Sequence, residues 1–248
     1  MPSDPSVLVL GGTGDARRLV PALRAAGFAT VTSLAGATSD PLLPEGEIRV
    51  GGFGGQEGLC AYLRSRTFTA VVDATHPFAE QISRHARAAA QAVGVPYFRF
   101  ERAPWQAGPG DRWVEVDDIA KACAALPCGA RVFLALGRSA ADSFLARQDI
   151  SGVARMIKPP DCPVPTQWTI MLARPPYDLP GERALIARHG ITHVVCKNSG
   201  SEDAQAKLIA AKEKNIQVIM LQRPVMASAP SFSRVNALIQ AIRRLLYP

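Results

Sequence analysis

Three clusters of small residues within the first eighty positions have the types and spacing to hold a phosphorylated ligand. The first is Gly11-Gly12-Thr13-Gly14-Asp15-Ala16, directly after the apolar run Val7–Leu10. A glycine-rich turn between a strand and a helix lets the backbone approach a diphosphate, whose charge the helix N-terminus favours. The match to G-x-G-x-x-G is partial, because a reading that starts at Gly12 puts Arg17 in the third glycine place. Asp15 is an awkward neighbour for phosphate, and its carboxylate could instead cap the helix. By itself this cluster is equally consistent with a tight structural turn. The second is Gly51-Gly52-Phe53-Gly54-Gly55, where four glycines in five positions point to close backbone approach by a ligand. The third is Asp73-Ala74-Thr75-His76-Pro77-Phe78-Ala79. It places His76 at the carboxyl end of a strand, the edge where such sheets bind ligands. His76 reads either as a proton donor or as a capping or stacking residue, and Asp73 either as a site acid or as a buried structural one.

The end of the second strand narrows the ligand. NAD sites place an acid about 20 residues beyond the glycines to hold the ribose hydroxyls. Here no Asp or Glu occurs from Ala16 to Ser39, and the strand ends in Ser33-Leu34-Ala35-Gly36. Small uncharged residues leave room for a 2′-phosphate, which favours NADPH over NADH, with Arg17 or Arg49 as its basic partner. The remaining reading is an ordinary turn that binds no dinucleotide.

The elements that must position these clusters alternate. Strands are expected at Val7–Leu10, Phe28–Ser33, Ile48–Val50, Ala70–Ala74 and Pro96–Phe100, and helices at Asp15–Ala26, Gln56–Arg66 and Phe78–Val93. Such alternation implies parallel strands with right-handed crossovers. The rhythm breaks at Ala103–Trp113, rich in Pro and Gly, and then resumes. Strands follow at Arg131–Leu136, Val153–Ile157, Trp168–Leu172, Thr192–Cys196 and Gln217–Leu221. Helices follow near Ile119–Leu126, Ala140–Arg147, Glu182–His189 and Glu202–Lys214, and Ser231–Leu246 closes the chain as a helix capped by Ser231. The fold class is therefore α/β, with a dinucleotide-binding domain at 1–103 and a second α/β domain at 104–248. The last helix is allowed to pack back on the first.

Composition excludes several classes. Of 248 residues, 48% are hydrophobic and 20% charged, which rules out wholesale disorder. No apolar run approaches the ~18 residues of a membrane span, and Met1–Ser6 carries no secretory signature. Five scattered cysteines without a C-x-x-C pair suit a reducing cytoplasm. The net charge of +7 is uneven: +1 over residues 1–103 (10 basic, 9 acidic) and +6 over 104–248 (18 basic, 12 acidic). That bias is either a solvated basic surface or a preference for a polyanionic ligand. Nucleic acid is disfavoured, because only 6% of residues are aromatic and none interleave with basic segments. The spacing His189-x3-His193-x2-Cys196 does not converge on a metal, since His193 and Cys196 of one strand face opposite ways. No P-loop lysine and no G-x-S-x-G serine is present.

The ordered set GGTGDARRL, SLAG, GGFGG, DATHPFA and RFERAPW, followed by ALGR at Ala135–Arg138, KNSG at Lys197–Gly200 and QRP at Gln222–Pro224, resembles the precorrin-6A reductase family of corrin-ring biosynthesis. The likeness spans nearly the whole chain. Ser201 departs from it, standing where a second glycine is expected. The resemblance implies two Rossmann-like doubly wound domains with the active site in the cleft between them. It also implies NADPH-dependent reduction of one ring double bond of precorrin-6A to precorrin-6B, by direct hydride transfer. Anaerobic-pathway relatives act on the cobalt-containing counterpart, and that reading stays open beside a non-catalytic NADPH-binding regulator. The expected cofactor contacts are Gly11, Gly12, Thr13, Gly14, Asp15, Ala16, Ser33, Ala35, Gly36, Gly52, Phe53, Gly54 and Thr75. The substrate would be a tetrapyrrole-derived polycarboxylate macrocycle, which suits the basic second half. Arg99, Arg102 and Arg138 could grip its carboxylates bidentately. Trp105 could stack on the macrocycle or pack as a buried hinge aromatic, and Gly137, Lys197, Asn198, Ser199 and Gly200 would form the opposite wall. His76 is the candidate proton donor. A cytoplasmic monomer without metal, membrane or nucleic-acid partner is expected.

Overall fold

Apolar runs too short for helices and too uniformly buried for edge strands dictate the architecture of this computed structural model, which describes residues 5–36 and 45–246. In chain order, β1 (Ser6–Leu10), α1 (Gly14–Ala25), β2 (Ala29–Leu34), β3 (Glu47–Val50), α2 (Gly55–Ser65), β4 (Ala70–Asp73), α3 (Glu80–Val93) and β5 (Tyr97–Phe100) come first. Next follow β6 (Trp113–Val116), α4 (Ile119–Ala124), β7 (Arg131–Ala135), α5 (Asp142–Leu145), β8 (Ser151–Met156), β9 (Trp168–Leu172), α6 (Leu179–His189), β10 (His193–Lys197), α7 (Ala206–Glu213) and β11 (Gln217–Leu221). The chain ends with β12 (Ser231–Phe232) and α8 (Val235–Leu246). Two compact units result: Met1–Ala103 with Val225–Pro248, and Pro104–Pro224.

Each unit holds a six-stranded sheet, ordered β12-β5-β4-β1-β2-β3 in the first and β6-β11-β10-β7-β8-β9 in the second. Every pairing is parallel. Read from the β3 and β9 edges, both follow the doubly wound order 3-2-1-4-5-6. The sixth strand comes from opposite ends of the chain segment: β12 arrives last in the first unit, whereas β6 comes first in the second. Strand order reverses between β1 and β4 in one sheet and between β7 and β10 in the other. These are the two switch points, where the crossover helices diverge and leave a crevice beyond the strand ends.

The division at 103/104 places residues 225–248 with the second domain while allowing the last helix to pack back, and the structure assigns the whole of Val225–Pro248 to the first unit. The stripe Val235, Leu238, Ile239 and Ile242 has helical spacing and packs into the core formed by Val7, Val9, Leu19, Leu23, Phe98 and Phe100. Full burial of each aliphatic side chain contributes roughly 1.5–3 kcal/mol, enough to recapture the tail. Ser231 does not cap this helix. Ser231 and Phe232 instead pair with Arg99 and Phe100 as β12. β6 goes unread in the sequence: it starts at Trp113, the last residue of what reads as a junction, and WVEV is short and follows a Pro-Gly run. The expected helix at Ala140–Arg147 is a 3-10 turn, Arg138–Ala140, followed by the single turn α5. Among the described residues no helix is long and apolar enough to cross a membrane.

Candidate functional site

At the first switch point the turn after β1 is held open by its own backbone. Gly12 has φ +101°, and a Cβ built there would project into space with no atom within 4 Å. The φ excludes ordinary side chains, and the open space is what backbone approach by a ligand requires. The helix cap is Thr13, not Asp15. Its hydroxyl oxygen accepts the Ala16 N–H at 3.1 Å and donates to the Ala74 carbonyl at 2.8 Å, tying the glycine turn to the end of β4. Asp15 in the first turn of α1 is ion-paired with Arg18 at 2.6 Å and with Arg102. Two guanidiniums therefore offset the carboxylate that made this loop a poor phosphate neighbour. Arg102 is committed to the glycine turn instead of standing clear as a carboxylate grip.

The neighbouring strand ends close the same edge. The Gly11 N–H donates to the Ser33 carbonyl and the Gly51 N–H to the Leu34 carbonyl, both at 2.9 Å. Thus Gly11, Ser33–Gly36 and Gly51–Gly54 adjoin one another, with Ala35, Gly36, Gly52 and Gly54 exposed. Arg49 organises the second glycine cluster. Its guanidinium donates to the carbonyls of Gly51 at 2.5 Å and Gly52 at 2.8 Å and lies 3.9 Å from the Phe53 ring centroid. Arg17 is half-buried in the first turn of α1. Of the acid-free stretch, Ala37–Ser39 lie outside the described residues.

The turn after β4 is organised by Asp73, which is fully buried. One carboxylate oxygen accepts the Thr75 N–H at 3.0 Å and the Thr75 hydroxyl at 2.6 Å. The other accepts the Tyr97 hydroxyl at 2.7 Å and Arg99 Nη1 at 3.0 Å. Four donors satisfy this acid, so it reads as the scaffold of the loop. Burial, then the adjacent Asp73 carboxylate, pushes the Tyr97 phenol above its ordinary range and keeps it a donor. Arg99 is buried and also bonds Ser83 Oγ at 2.8 Å and Glu101 at 3.3 Å. That corrects the expectation of an exposed fork: Arg99 is a structural cation. His76 is half-buried, and its Nδ1 accepts the Phe78 N–H at 3.2 Å, which leaves the ring hydrogen of a neutral imidazole on Nε2.

At the second switch point β7 runs into Gly137, whose φ of 83° and ψ of 173° belong to a region open essentially to glycine alone. Arg138 follows, exposed and paired with Asp161 at 2.7 Å. β10 runs into Lys197-Asn198-Ser199-Gly200. Burial lowers the Lys197 ammonium from its ordinary value. Asn198 is buried, and its amide is used up on the Trp105 backbone, accepting the N–H at 2.8 Å and donating to the carbonyl at 3.0 Å. It clamps the chain and does not reach outward, which corrects its expected substrate contact. Ser199 is buried too, and its Oγ accepts the Ser201 N–H at 3.4 Å. Gly200 takes the left-handed turn at φ +67°, so Ser201 at φ −82° needs no glycine there. Trp105 packs against the α7 core with its ring 4.8 Å from Lys207 Nζ, the anchoring alternative to macrocycle stacking.

Sequence reasoning did not single out Arg223 or Lys207. Arg223 Nε donates to the Asn198 carbonyl at 2.9 Å and Nη2 to the Ser199 carbonyl at 3.1 Å. Lys207, buried at 4% exposure, donates to the Ala204 carbonyl at 2.5 Å. The one available signal was the QRP motif itself. Among the described residues no group of three or more His, Cys, Asp or Glu side chains could hold a metal ion.

The precorrin-6x reductase CbiJ/CobK family model matches residues 6–243. The precorrin-6A reductase of Rhodococcus erythropolis is 44% identical over 225 residues, covering 90% of this chain and 91% of its own. That of Rhodobacter capsulatus is 46% identical over 220 residues, with 88% of each covered. The cobalt-precorrin-6A reductase of Priestia megaterium is 30% identical over 251 residues, covering 95% and 97%. A solved CobK precorrin-6A reductase superposes with TM-score 0.92 at 41% identity, covering 97% of both chains. The chain belongs to the precorrin-6x reductase CbiJ/CobK family.

Proposed function

We propose that this chain is the NADPH-dependent precorrin-6A reductase of cobalamin biosynthesis, reducing one ring double bond to give precorrin-6B. The observation that carries the cofactor half is the first switch point. Its glycine turn is open at Gly12, its second strand ends without an acid, and Arg49 is poised beside Gly51 and Gly52. These residues fit a dinucleotide: the turn and the α1 N-terminus take the diphosphate, Ser33, Ala35 and Gly36 leave room at the ribose, and Arg49 meets the 2′-phosphate. The bound nicotinamide supplies hydride.

What this chain's residues supply is placement. Thr13 and Asp73 lock the loops on either side of the crevice. At the second switch point Arg138 and Lys197 offer positive charge to the carboxylates of the macrocycle. Asn198 and Ser199 give that wall its shape, while Arg99 and Arg102 act through the first unit's scaffold. His76 presents Nε2–H and is the proton-donor candidate. Its ring also caps the turn, so His76→Ala should slow turnover by less than the ~100-fold loss of an essential general acid. The metal-free substrate is favoured over its cobalt counterpart by the higher identity to precorrin-6A reductases, 44% and 46% against 30%.

The test is an anaerobic assay with NADPH deuterated at the transferred position and precorrin-6A. The product should carry one deuterium, and the purified protein should show no flavin absorbance. Deuterium lost to solvent would overturn direct transfer. Turnover with cobalt-precorrin-6A alone would reassign the substrate, and tight NADPH binding without turnover of either would make the chain a regulator.

A further inference from the structure

The loop that ends β10 has three of its carbonyl oxygens bonded by cations. Arg223, just past the end of β11, forks two successive carbonyls, those of Asn198 and Ser199, at 2.9 and 3.1 Å. Lys207, in the first turn of α7, takes the carbonyl of Ala204 at 2.5 Å. The Ser199 N–H turns back to the Lys197 carbonyl at 2.8 Å, and the Asn198 side chain is spent on Trp105. A carbonyl at the rim of a carboxylate site repels the ligand, and one rotated peptide suffices to place it there. A guanidinium spanning two neighbouring carbonyls prevents that rotation, and its planar fork does so at little entropic cost. Burying an ammonium in α7 is costly, and the hydrogen bond that Lys207 donates goes to a loop carbonyl.

We propose that Arg223 and Lys207 are positioning residues of the second switch point. They hold the carbonyls of Asn198, Ser199 and Ala204 away from the crevice, so that the Lys197–Gly200 loop receives a carboxylate of the substrate. This rests on the reading of the macrocycle as a polycarboxylate substrate, and it adds to that reading the residues that shape the loop without touching the ligand. The clamp belongs to the second unit, so cofactor binding at the first is the internal control.

Arg223→Met keeps the apolar length and removes the fork, Arg223→Lys keeps charge without the fork, and Lys207→Met removes the buried ammonium. In all three, KM for precorrin-6A should rise about tenfold or more for the Met variants and less for Arg223→Lys, with kcat within about threefold and the NADPH Kd unchanged. Guanidinium at millimolar concentration should restore KM in Arg223→Ala. Amide hydrogen exchange over residues 197–204 should quicken about tenfold in Arg223→Met while the rest of the sheet keeps its protection. If Arg223→Met does not fold, Arg223→Lys carries both measurements.

Unchanged exchange in the loop overturns the clamp. Quickened exchange with unchanged KM overturns its service to the substrate. If the wild-type protein fails to reduce precorrin-6A, the proposed function fails, while the exchange measurement still decides the clamp.

Discussion

The carboxyl edge of the first sheet is built from glycines and short polar side chains, whereas that of the second is built on cations. Both sheets have the same strand order and place their loops at equivalent switch points. At the first, Gly12 and its neighbours expose backbone, and the nearby Asp15 carboxylate is paired with both Arg18 and Arg102. At the second, Lys197, Lys207 and Arg223 surround one loop, and Arg138 stands exposed on the other. On the proposed function, one fold would offer two kinds of anion site. A diphosphate is met by backbone N–H groups and a helix N-terminus, which demands absence of side chain. A set of carboxylates is met by side-chain charge, which demands its presence.

Each unit also buries one guanidinium–carboxylate pair, and breaking them should separate the units most strongly. Arg155 and Glu182 tie β8 to α6, with the guanidinium 3.5 Å from the Tyr177 ring centroid. Glu182→Ala leaves that cation buried without its carboxylate, and urea unfolding should show a loss of about 3–5 kcal/mol. In Asp73→Ala, Arg99 keeps Glu101 at 3.3 Å. The stability loss should therefore be smaller, but NADPH binding should weaken as Thr75 loses its anchor. A cofactor affinity untouched by Asp73→Ala would show that the β4 turn is not part of the first site.

Gly12→Val should weaken NADPH binding at least ~100-fold, about 2.8 kcal/mol, and leave substrate affinity unchanged, while the positive φ of +101° costs the fold about 1–3 kcal/mol of backbone strain. Normal cofactor titration in a folded Gly12→Val protein would reduce the first glycine turn to a connection. The next pair sharpens the contrast between edges. Arg49→Ala should lower NADPH over NADH selectivity about tenfold in kcat/KM, about 1.4 kcal/mol, and leave substrate KM alone. Arg138→Ala should do the reverse, raising substrate KM with the same cofactor preference. Crossed effects would mean that the two edges do not divide the ligands as proposed.

The smallest effect is on pH. Burial lowers the Lys207 ammonium, so the unfolded chain binds more protons than the folded one as pH rises toward the ordinary lysine value. The penalty is present at neutral pH and fades as pH rises. Cys196, Arg155 and Glu182 face the same ammonium, and the buried Cys196 thiol is pushed up, with the opposite dependence. The difference between wild type and Lys207→Met isolates the lysine. The Met variant should unfold at the higher temperature near pH 7, and its advantage should shrink toward pH 10. A constant difference would mean that Lys207 keeps its ordinary protonation in the fold.

The sequence by itself determined the strands other than β6 and β12, and with them the crossovers and the positions of the loops, because burial on both sheet faces demands continuous apolar runs such as Val7–Leu10 and Val194–Cys196, and strand-to-helix turns demand glycine. It determined the acid-free end of β2 in the same way. What only the tertiary structure decided is which charged residues are spent internally. Arg99 and Arg138 look alike in sequence, each close to a strand end, yet one is buried on Asp73 and the other exposed beside Asp161. Asn198 reads as a polar loop residue and is consumed by a backbone 93 positions away. The return of residues 225–248 to the first unit was likewise decided in three dimensions, by a stripe of four apolar residues that finds its partner core across more than two hundred positions of chain. A periodic pattern reports that a face must be buried, but the identity of the surface that buries it, like the identity of a cation's partner, is a long-range choice that no local spacing encodes.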